Sequence, residues 1–259
     1  MNSTIKKLDL TRTLFFDAEF ARRSETLQKD SEEFYLYQSK NKDKDTELSL
    51  PDDELIEHYK KNAGLKPAYN RLICLSIGTI SPSTGEVILK SFTGEEESIV
   101  REFYKVLNPF IIKTEDGGTT GFKFDYICGY NILGFDLPMI RYAALKNDPN
   151  IITGAKGLPN EFNDSGKKPW EMKVIIDLMD QFKGTYFYNM SLKEVCYMLQ
   201  IPSPKEGGID GSMVSDVYYG TEGGLDIIEK YCKRDVLAVI NIIKALRGEQ
   251  IVEEYVDRG

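Results

Sequence analysis

The sequence has 259 residues, of which 41% are hydrophobic and 29% charged, and it carries a formal net charge of −8 at pH 7. This length fits one large domain or two small ones, and the acidic balance argues against a protein that coats nucleic acid through lysine and arginine. The single histidine, His58, argues against histidine triads and histidine zinc clusters.

The chain lacks the usual signs of export or membrane insertion. No apolar run approaches the length of about 20 residues that spans a bilayer, and the N-terminal stretch has no apolar core of a signal peptide. The four widely spaced cysteines are typical of small core residues in a reducing compartment: Cys74, Cys128, Cys196 and Cys232. We therefore expect a cytoplasmic protein.

The first predicted strand, FFDAEF at residues 15–20, contains two acids. Residues two apart on a strand share a face, so Asp17 and Glu19 point the same way among apolar neighbours. Adjacent carboxylates in such a setting repel each other and lose hydration unless a cation neutralises them. A bound metal explains the pattern, and the alternative is a surface strand whose polar face carries two acids.

A polar segment interrupts the pattern after this strand. It contains the charge run NKDKDTE, expected to be solvated or disordered, and a helix, PDDELIEHYKKNAG, in which His58 is expected to be solvated. We interpret the chain as a single domain, residues 1–259, with an insertion at about 21–70.

The remaining elements alternate between strands and helices. Strands are predicted over residues 71–80, 86–92 and 124–130, with a last one over 174–179, and helices over 95–111 and from Leu137. Ser191 and Glu194 predict a capping box for a further helix, and a long helix follows over about 225–246, ending at Gly248. This alternation predicts one α/β layered domain.

Acids also occur at unusual positions further along the chain. In GYNILGFDLPMIRYA, Asp136 stands between a strand and a helix, where it could simply be the helix N-cap, and Asn131 could be a turn residue. In the last helix, Asp235 falls on the apolar stripe, where an unpaired acid is costly. Tyr231 lies one turn earlier on the same face.

Together, FFDAEF, GYNILGFDLP and YCKRDV resemble the three exonuclease motifs of the DEDD superfamily, in the variant that uses tyrosine. The match is closest to the proofreading 3′-5′ exonuclease domain of family B DNA polymerases. The resemblance covers residues 14–246 except the insertion, and no polymerase palm fits in the remainder. The chain thus resembles a stand-alone relative of that domain.

The resemblance implies a ribonuclease H-like fold, with a mixed five-stranded sheet and helices on both faces. It implies that four carboxylates bind two Mg²⁺ or Mn²⁺ ions, namely those of Asp17, Glu19, Asp136 and Asp235. Tyr231 would orient the attacking water. The expected reaction is two-metal hydrolysis that releases nucleoside 5′-monophosphates from a DNA 3′ end, with the ions about 4 Å apart.

Substrate contacts and partners are less constrained. Asn131 is a candidate nucleotide contact, and Phe20 and Phe135 are candidates for base stacking, although both phenylalanines also suit a core. The expected partner is nucleic acid, and single-stranded DNA 3′ ends are the preferred substrate. A polymerase or another replication protein is a further candidate partner. Two alternatives remain open: an exoribonuclease resembling ribonuclease D, and a nucleic-acid-binding module that has lost catalysis.

Overall fold

The structure is a computed structural model that describes residues 3–41, 50–113, 118–154, 174–183, 189–203 and 208–259. Its helices are α1 (Ser3–Lys7), α2 (Glu32–Lys40), α3 (Asp52–Asn62), α4 (Glu96–Leu107), α5 (Asp136–Asn147), α6 (Asn150–Gly154), α7 (Leu192–Leu199), α8 (Val214–Gly220) and α9 (Gly224–Arg247). Its strands are β1 (Thr13–Arg22), β2 (Asn70–Ile80), β3 (Val87–Thr93), β4 (Phe110–Lys113), β5 (Thr119–Phe122), β6 (Tyr126–Gly129), β7 (Ile175–Asp177) and β8 (Val256–Asp257).

Six strands form one mixed sheet in the order β7-β6-β1-β2-β3-β8. β1 pairs antiparallel with β2 on one side and parallel with β6 on the other. β3 continues the antiparallel half, and β7 continues the parallel half. The predicted α/β class with a mixed sheet is confirmed.

The number of strands was predicted too low. The short strand β8 pairs with β3 in parallel, so the sheet has six strands rather than five, and β7 is not the last of them. A strand of two residues is too short to show the alternation that predicts strands.

β1 is buried on both faces, which explains the consecutive apolar residues Leu14, Phe15 and Phe16. Leu14 and Phe16 belong to the core beneath α4 and α5, whereas Phe15 belongs to the core beneath α7 and α9. The predicted placement of helices on both faces is therefore observed. Asp17 and Glu19 follow Phe15 at two-residue steps, on the side of the sheet that α9 covers.

The long helix α9 has the predicted bounds and ending. It begins after Gly223 and ends at Gly248, whose φ of 72° is the left-handed conformation that favours glycine at a helix C-terminus. Ile228, Cys232 and Val239 are buried as predicted. The capping box of Ser191 and Glu194 at the start of α7 is also present.

Gly224 lies where α8 and α9 approach each other closely. An added Cβ at Gly224 would be 2.1 Å from the backbone oxygen of Val217. Because a backbone atom cannot rotate away, we expect Gly224→Ala to lower the free energy of unfolding by about 2–3 kcal/mol. Gly220→Ala is the matched control, since a Cβ at Gly220 meets nothing within 4 Å. Equal urea midpoints for the two variants would contradict this close approach.

The segment between β1 and β2 contains α2 and α3, which share a small core of their own. Within it, His58 is partly buried, and its Nδ1 lies 2.9 Å from the Tyr37 hydroxyl. The expectation of a solvated His58 is therefore corrected. Most of the charge run NKDKDTE lies outside the described residues, and the division into a domain and an insertion stays a prediction.

One hairpin was not predicted. α4 ends at Leu107 rather than near residue 111, and β4 then pairs with β5 in a two-stranded sheet. Its aromatic residues pack together, with the rings of Phe110 and Phe122 5.3 Å apart. Pro109, which cannot continue a helix, was the signal for this boundary.

Candidate metal centre

Three carboxylates from two elements come together at the middle of β1. Asp17 and Glu19 of β1 and Asp235 of α9 each place one oxygen within 4.8 Å of the others. Glu19 and Asp235 are buried, and Asp17 is partly exposed. The register of β1 shifts between Glu19 and Phe20, so an irregularity of the strand directly follows the second acid.

Asp136, the first residue of α5, lies beside these acids but outside the group whose oxygens are within 4.8 Å of one another. Its Oδ1 accepts a hydrogen bond of 3.2 Å from the backbone N–H of Ala18, the residue between the two acids of β1. The N-cap position of α5 belongs to Phe135, which makes no side-chain cap. The alternative of Asp136 as an N-cap is therefore not observed.

The mutual proximity of these acids makes their ionisation unfavourable. Burial, followed by the negative charge of Asp136, raises the pKa of Asp17 to about 8. Burial chiefly also raises the pKa of Asp136 to about 8, and burial followed by the charge of Asp17 raises the pKa of Glu19 well above its ordinary value. The cluster therefore favours a bound cation over four free negative charges.

The donor set fits a hard divalent cation. All four groups offer carboxylate oxygens, the ligands that such cations prefer. Within the part of the chain that the structure describes, no lysine or arginine forms a salt bridge with Asp17, Glu19 or Asp136. A metal ion would supply a counter-charge that the lysines and arginines of the described residues do not provide by salt bridges.

Tyr231 lies one helical turn before Asp235 on α9 and is 6% exposed. Burial chiefly raises its pKa, and the charge of Asp235 and a hydrogen bond with that carboxyl group act in the same direction. The phenol therefore stays protonated at neutral pH and can donate a hydrogen bond beside the acids.

Cys232, which follows Tyr231 in the sequence, forms hydrogen bonds with Asp17. Its fully buried thiol donates to the Asp17 backbone oxygen at 3.3 Å and to Oδ2 at 3.4 Å. Sequence reasoning assigned Cys232 to the core, which is correct, but did not foresee this contact with the carboxylate.

The three predicted substrate contacts, Phe20, Phe135 and Asn131, differ in burial. Phe20 is 6% exposed and packs edge-on against Phe135, which is partly buried, with 5.7 Å between the ring centroids. Asn131 is partly buried in the turn before α5, with a φ of 60°. The roles of all three stay predictions, and Phe20 has little free surface on which a base could stack.

One acid beside the site was missed by sequence reasoning. Asp177, at the end of β7, is 6% exposed and accepts hydrogen bonds from the backbone N–H groups of Asn131, Leu133 and Met179. The sequence VIIDLM places this acid inside an apolar strand, which is the same signal that drew attention to FFDAEF. Its charge also raises the pKa of Asp136, after the effect of burial.

The raised pKa values predict how the stability of the metal-free protein depends on pH. Carboxyl groups titrate near pH 4 in the unfolded chain but near pH 8 at Asp17 and Asp136 in the folded chain. Between these limits the native state binds more protons, so the free energy of unfolding falls as the pH rises. We expect a lower thermal midpoint in EDTA at about pH 8.5 than at about pH 5.

Asp17→Asn provides the control for this pH dependence, because its side chain does not titrate. We expect a smaller difference between the two midpoints in this variant. A wild-type midpoint that is constant or rises over the same range would show that the four carboxyl groups titrate like exposed ones.

Comparisons with known proteins identify the family of this chain. A family model described as "predicted 3′-5′ exonuclease related to the exonuclease domain of PolB" matches residues 65–243. This span contains Asp136, Tyr231 and Asp235, whereas Asp17 and Glu19 precede it. None of the curated proteins searched matches this chain.

Among solved structures, one similar chain is the family B DNA polymerase from the hyperthermophilic archaeon Pyrobaculum calidifontis. The sequence identity is 16% and the TM-score 0.46, and the match covers 87% of this chain and 23% of the polymerase.

Among the described residues, no helix is both long and apolar enough to cross a membrane.

Proposed function

This chain belongs to the family of predicted 3′-5′ exonucleases related to the exonuclease domain of PolB, and from that membership we propose that it removes nucleotides from the 3′ end of single-stranded DNA. The products would be nucleoside 5′-monophosphates. The observation that supports this proposal is the cluster of the Asp17, Glu19 and Asp235 carboxylates, beside which Asp136 is bonded to the backbone of β1.

The four acids would hold two Mg²⁺ or Mn²⁺ ions. Asp17, whose oxygen lies within 4.8 Å of oxygens of Glu19 and Asp235, would help to hold both ions. When bound, such ions lower the pKa of a water ligand and neutralise charge on the scissile phosphate. Only oxygen ligands are needed for this chemistry, and the site offers four carboxylates.

The protein's own groups would position the reactants. Tyr231 keeps its proton, so its hydroxyl can hold the attacking water by a hydrogen bond without acting as a base. The Cys232 thiol donates a hydrogen bond to the Asp17 carboxylate, which would restrain that side chain. The four acids, Tyr231 and Cys232 would then form one site on β1, α5 and α9.

The direct test uses 5′-labelled single-stranded DNA with Mg²⁺ or Mn²⁺. We expect a descending ladder of products that EDTA abolishes. A circular single strand of the same sequence has no 3′ end and should survive. Cleavage of the circle, or a wild-type protein that digests neither substrate, would overturn the proposal.

The same assay separates the alternatives that the sequence left open. A matched RNA oligonucleotide that is digested faster than the DNA would favour the exoribonuclease. Binding of Mn²⁺ and oligonucleotide without any turnover would favour a binding module that has lost catalysis. A polymerase partner stays a prediction.

A cytoplasmic location is also part of the proposal. All four cysteines are buried and free, as expected for a protein kept in a reducing compartment.

A further inference from the structure

The turn between β6 and α5 is a hydrogen-bonded part of the site. Asn131 has a φ of 60°, the left-handed conformation that Asn adopts more readily than most residues with a side chain. The Asn131 backbone oxygen accepts from the N–H groups of Gly134 and Phe135 at 3.1 and 3.0 Å. A Cβ at Gly134 would lie 2.5 Å from Asn131 Oδ1, so a side chain there would have to displace the Asn131 amide.

The Asp177 carboxylate, at the end of β7, connects this turn to the sheet by hydrogen bonds. Its Oδ1 accepts from Asn131 N–H at 2.7 Å and from Met179 N–H at 3.0 Å, and its Oδ2 accepts from Leu133 N–H at 2.9 Å. Asp177 pairs with Gly129 across β6 and β7, so the carboxylate is held beside the start of the turn. Hydrogen bonds to an ionised, buried acceptor are about twice as strong as neutral ones.

The three bonds distinguish Asp177 from the acids that meet at β1. Both of its oxygens accept from backbone N–H groups, and Asp177 is not in the group of Asp17, Glu19 and Asp235, whose oxygens lie within 4.8 Å of one another. We therefore assign Asp177 no direct contact with a metal ion. One of its hydrogen-bond donors is the backbone N–H group of Leu133, three residues before Asp136.

We propose that Asp177 is a positioning residue, which fixes the turn that places Asp136 and Asn131 against β1. This inference rests on the proposed function and deepens it, because Asp136 is one of the acids assigned to the metal ions. A shift of about 1 Å at a reacting group can cost about 100-fold in rate. Partners that orient metal ligands typically change metal affinity about 10- to 100-fold when they are removed.

The test is Asp177→Asn, which keeps the shape of the side chain but turns one acceptor into a donor that faces an N–H group. We expect kcat on a single-stranded oligonucleotide to fall about 10- to 100-fold and the affinity for Mn²⁺, followed by electron paramagnetic resonance, to fall about tenfold. The matched control is Asp180→Asn, three residues further along on the exposed surface, which should change neither quantity.

A double variant separates positioning from a loss of stability. If Asp177 acts through Asp136, then adding Asp177→Asn to Asp136→Ala should slow the reaction no further. A merely structural role would lower the thermal midpoint, leave the Mn²⁺ affinity unchanged and multiply the two losses of rate; this result would overturn the inference. If Asp177→Asn does not fold, Asp177→Glu keeps the charge and displaces the turn by one methylene, with the same expectations.

Failure of the proposed function can be told apart from failure of this inference. A wild-type protein that binds Mn²⁺ but digests no DNA contradicts the proposed function alone, and the Mn²⁺ affinities of the Asp177 variants still decide the inference. An active wild type with an equally active Asp177→Asn contradicts the inference alone. A wild type that binds no Mn²⁺ contradicts both.

Discussion

Asp17→Asn is expected to abolish digestion of single-stranded DNA. Asp17 has an oxygen within 4.8 Å of oxygens of Glu19 and Asp235, and the charge of Asp136 raises its pKa, so its side chain lies close to the other three acids. Replacing it by a neutral amide removes the ligand proposed to be shared by both ions. A loss of about 4 kcal/mol of transition-state stabilisation corresponds to about a 1,000-fold lower kcat/KM, which single-turnover product ladders can measure.

The stability of Asp17→Asn should change in the opposite direction to its activity. Metal-free wild type at about pH 8.5 carries several partly ionised acids in a buried cluster, and the substitution removes one of them. We therefore expect a thermal midpoint in EDTA at or above that of the wild type. Loss of activity would then reflect lost chemistry and not unfolding.

Asp53→Asn is the control for the loss of a carboxylate as such. The Asp53 side chain is 96% exposed on α3, and it forms a salt bridge of 3.5 Å with Lys29. Neither activity nor thermal midpoint should change. If Asp17→Asn digests DNA as fast as this control, the assignment of the metal ions to the acids on β1 is wrong.

Local patterns were sufficient to predict β1 and its two acids. A period of two places Asp17 and Glu19 on one face of any strand, whatever the rest of the fold. The contact between Asp136 and Ala18 joins residues 118 positions apart. No local pattern specifies such a contact, because it depends on β6 lying parallel to β1, and the sequence indicated it only through the resemblance of its three motifs.

The features that sequence reasoning missed have weak or ambiguous local signals. β8 has two residues, and the run at β4 is too short to be told from the end of a helix. The role of Asp177 was not predicted, although this acid lies within an apolar strand. Its hydrogen-bond donors are backbone N–H groups of the turn before α5, and only the folded chain brings them near it. His58 was expected in solvent because its hydrogen-bond partner, Tyr37, lies on a different helix.

Tyr231→Phe is expected to slow the reaction while leaving the fold and the binding of DNA almost intact. Tyr231 is 6% exposed, and its ring is part of the core that α8 and α9 share with β2. Phenylalanine keeps that ring and removes only the hydroxyl beside Asp235. Since positioned proton donors and acceptors contribute about 100-fold or more, we expect kcat to fall about 10- to 100-fold with KM within about threefold.

Tyr59→Phe should show the reverse pattern and so serves as the matched control. Its hydroxyl, in the core of α2 and α3, donates to Glu33 Oε1 at 2.7 Å. Losing this bond should lower stability by about 1 kcal/mol and leave kcat unchanged. If Tyr231→Phe changes only KM, the hydroxyl contacts the substrate and does not orient water. If it changes neither constant, Tyr231 has no part in the reaction, and the acids alone must position the nucleophile.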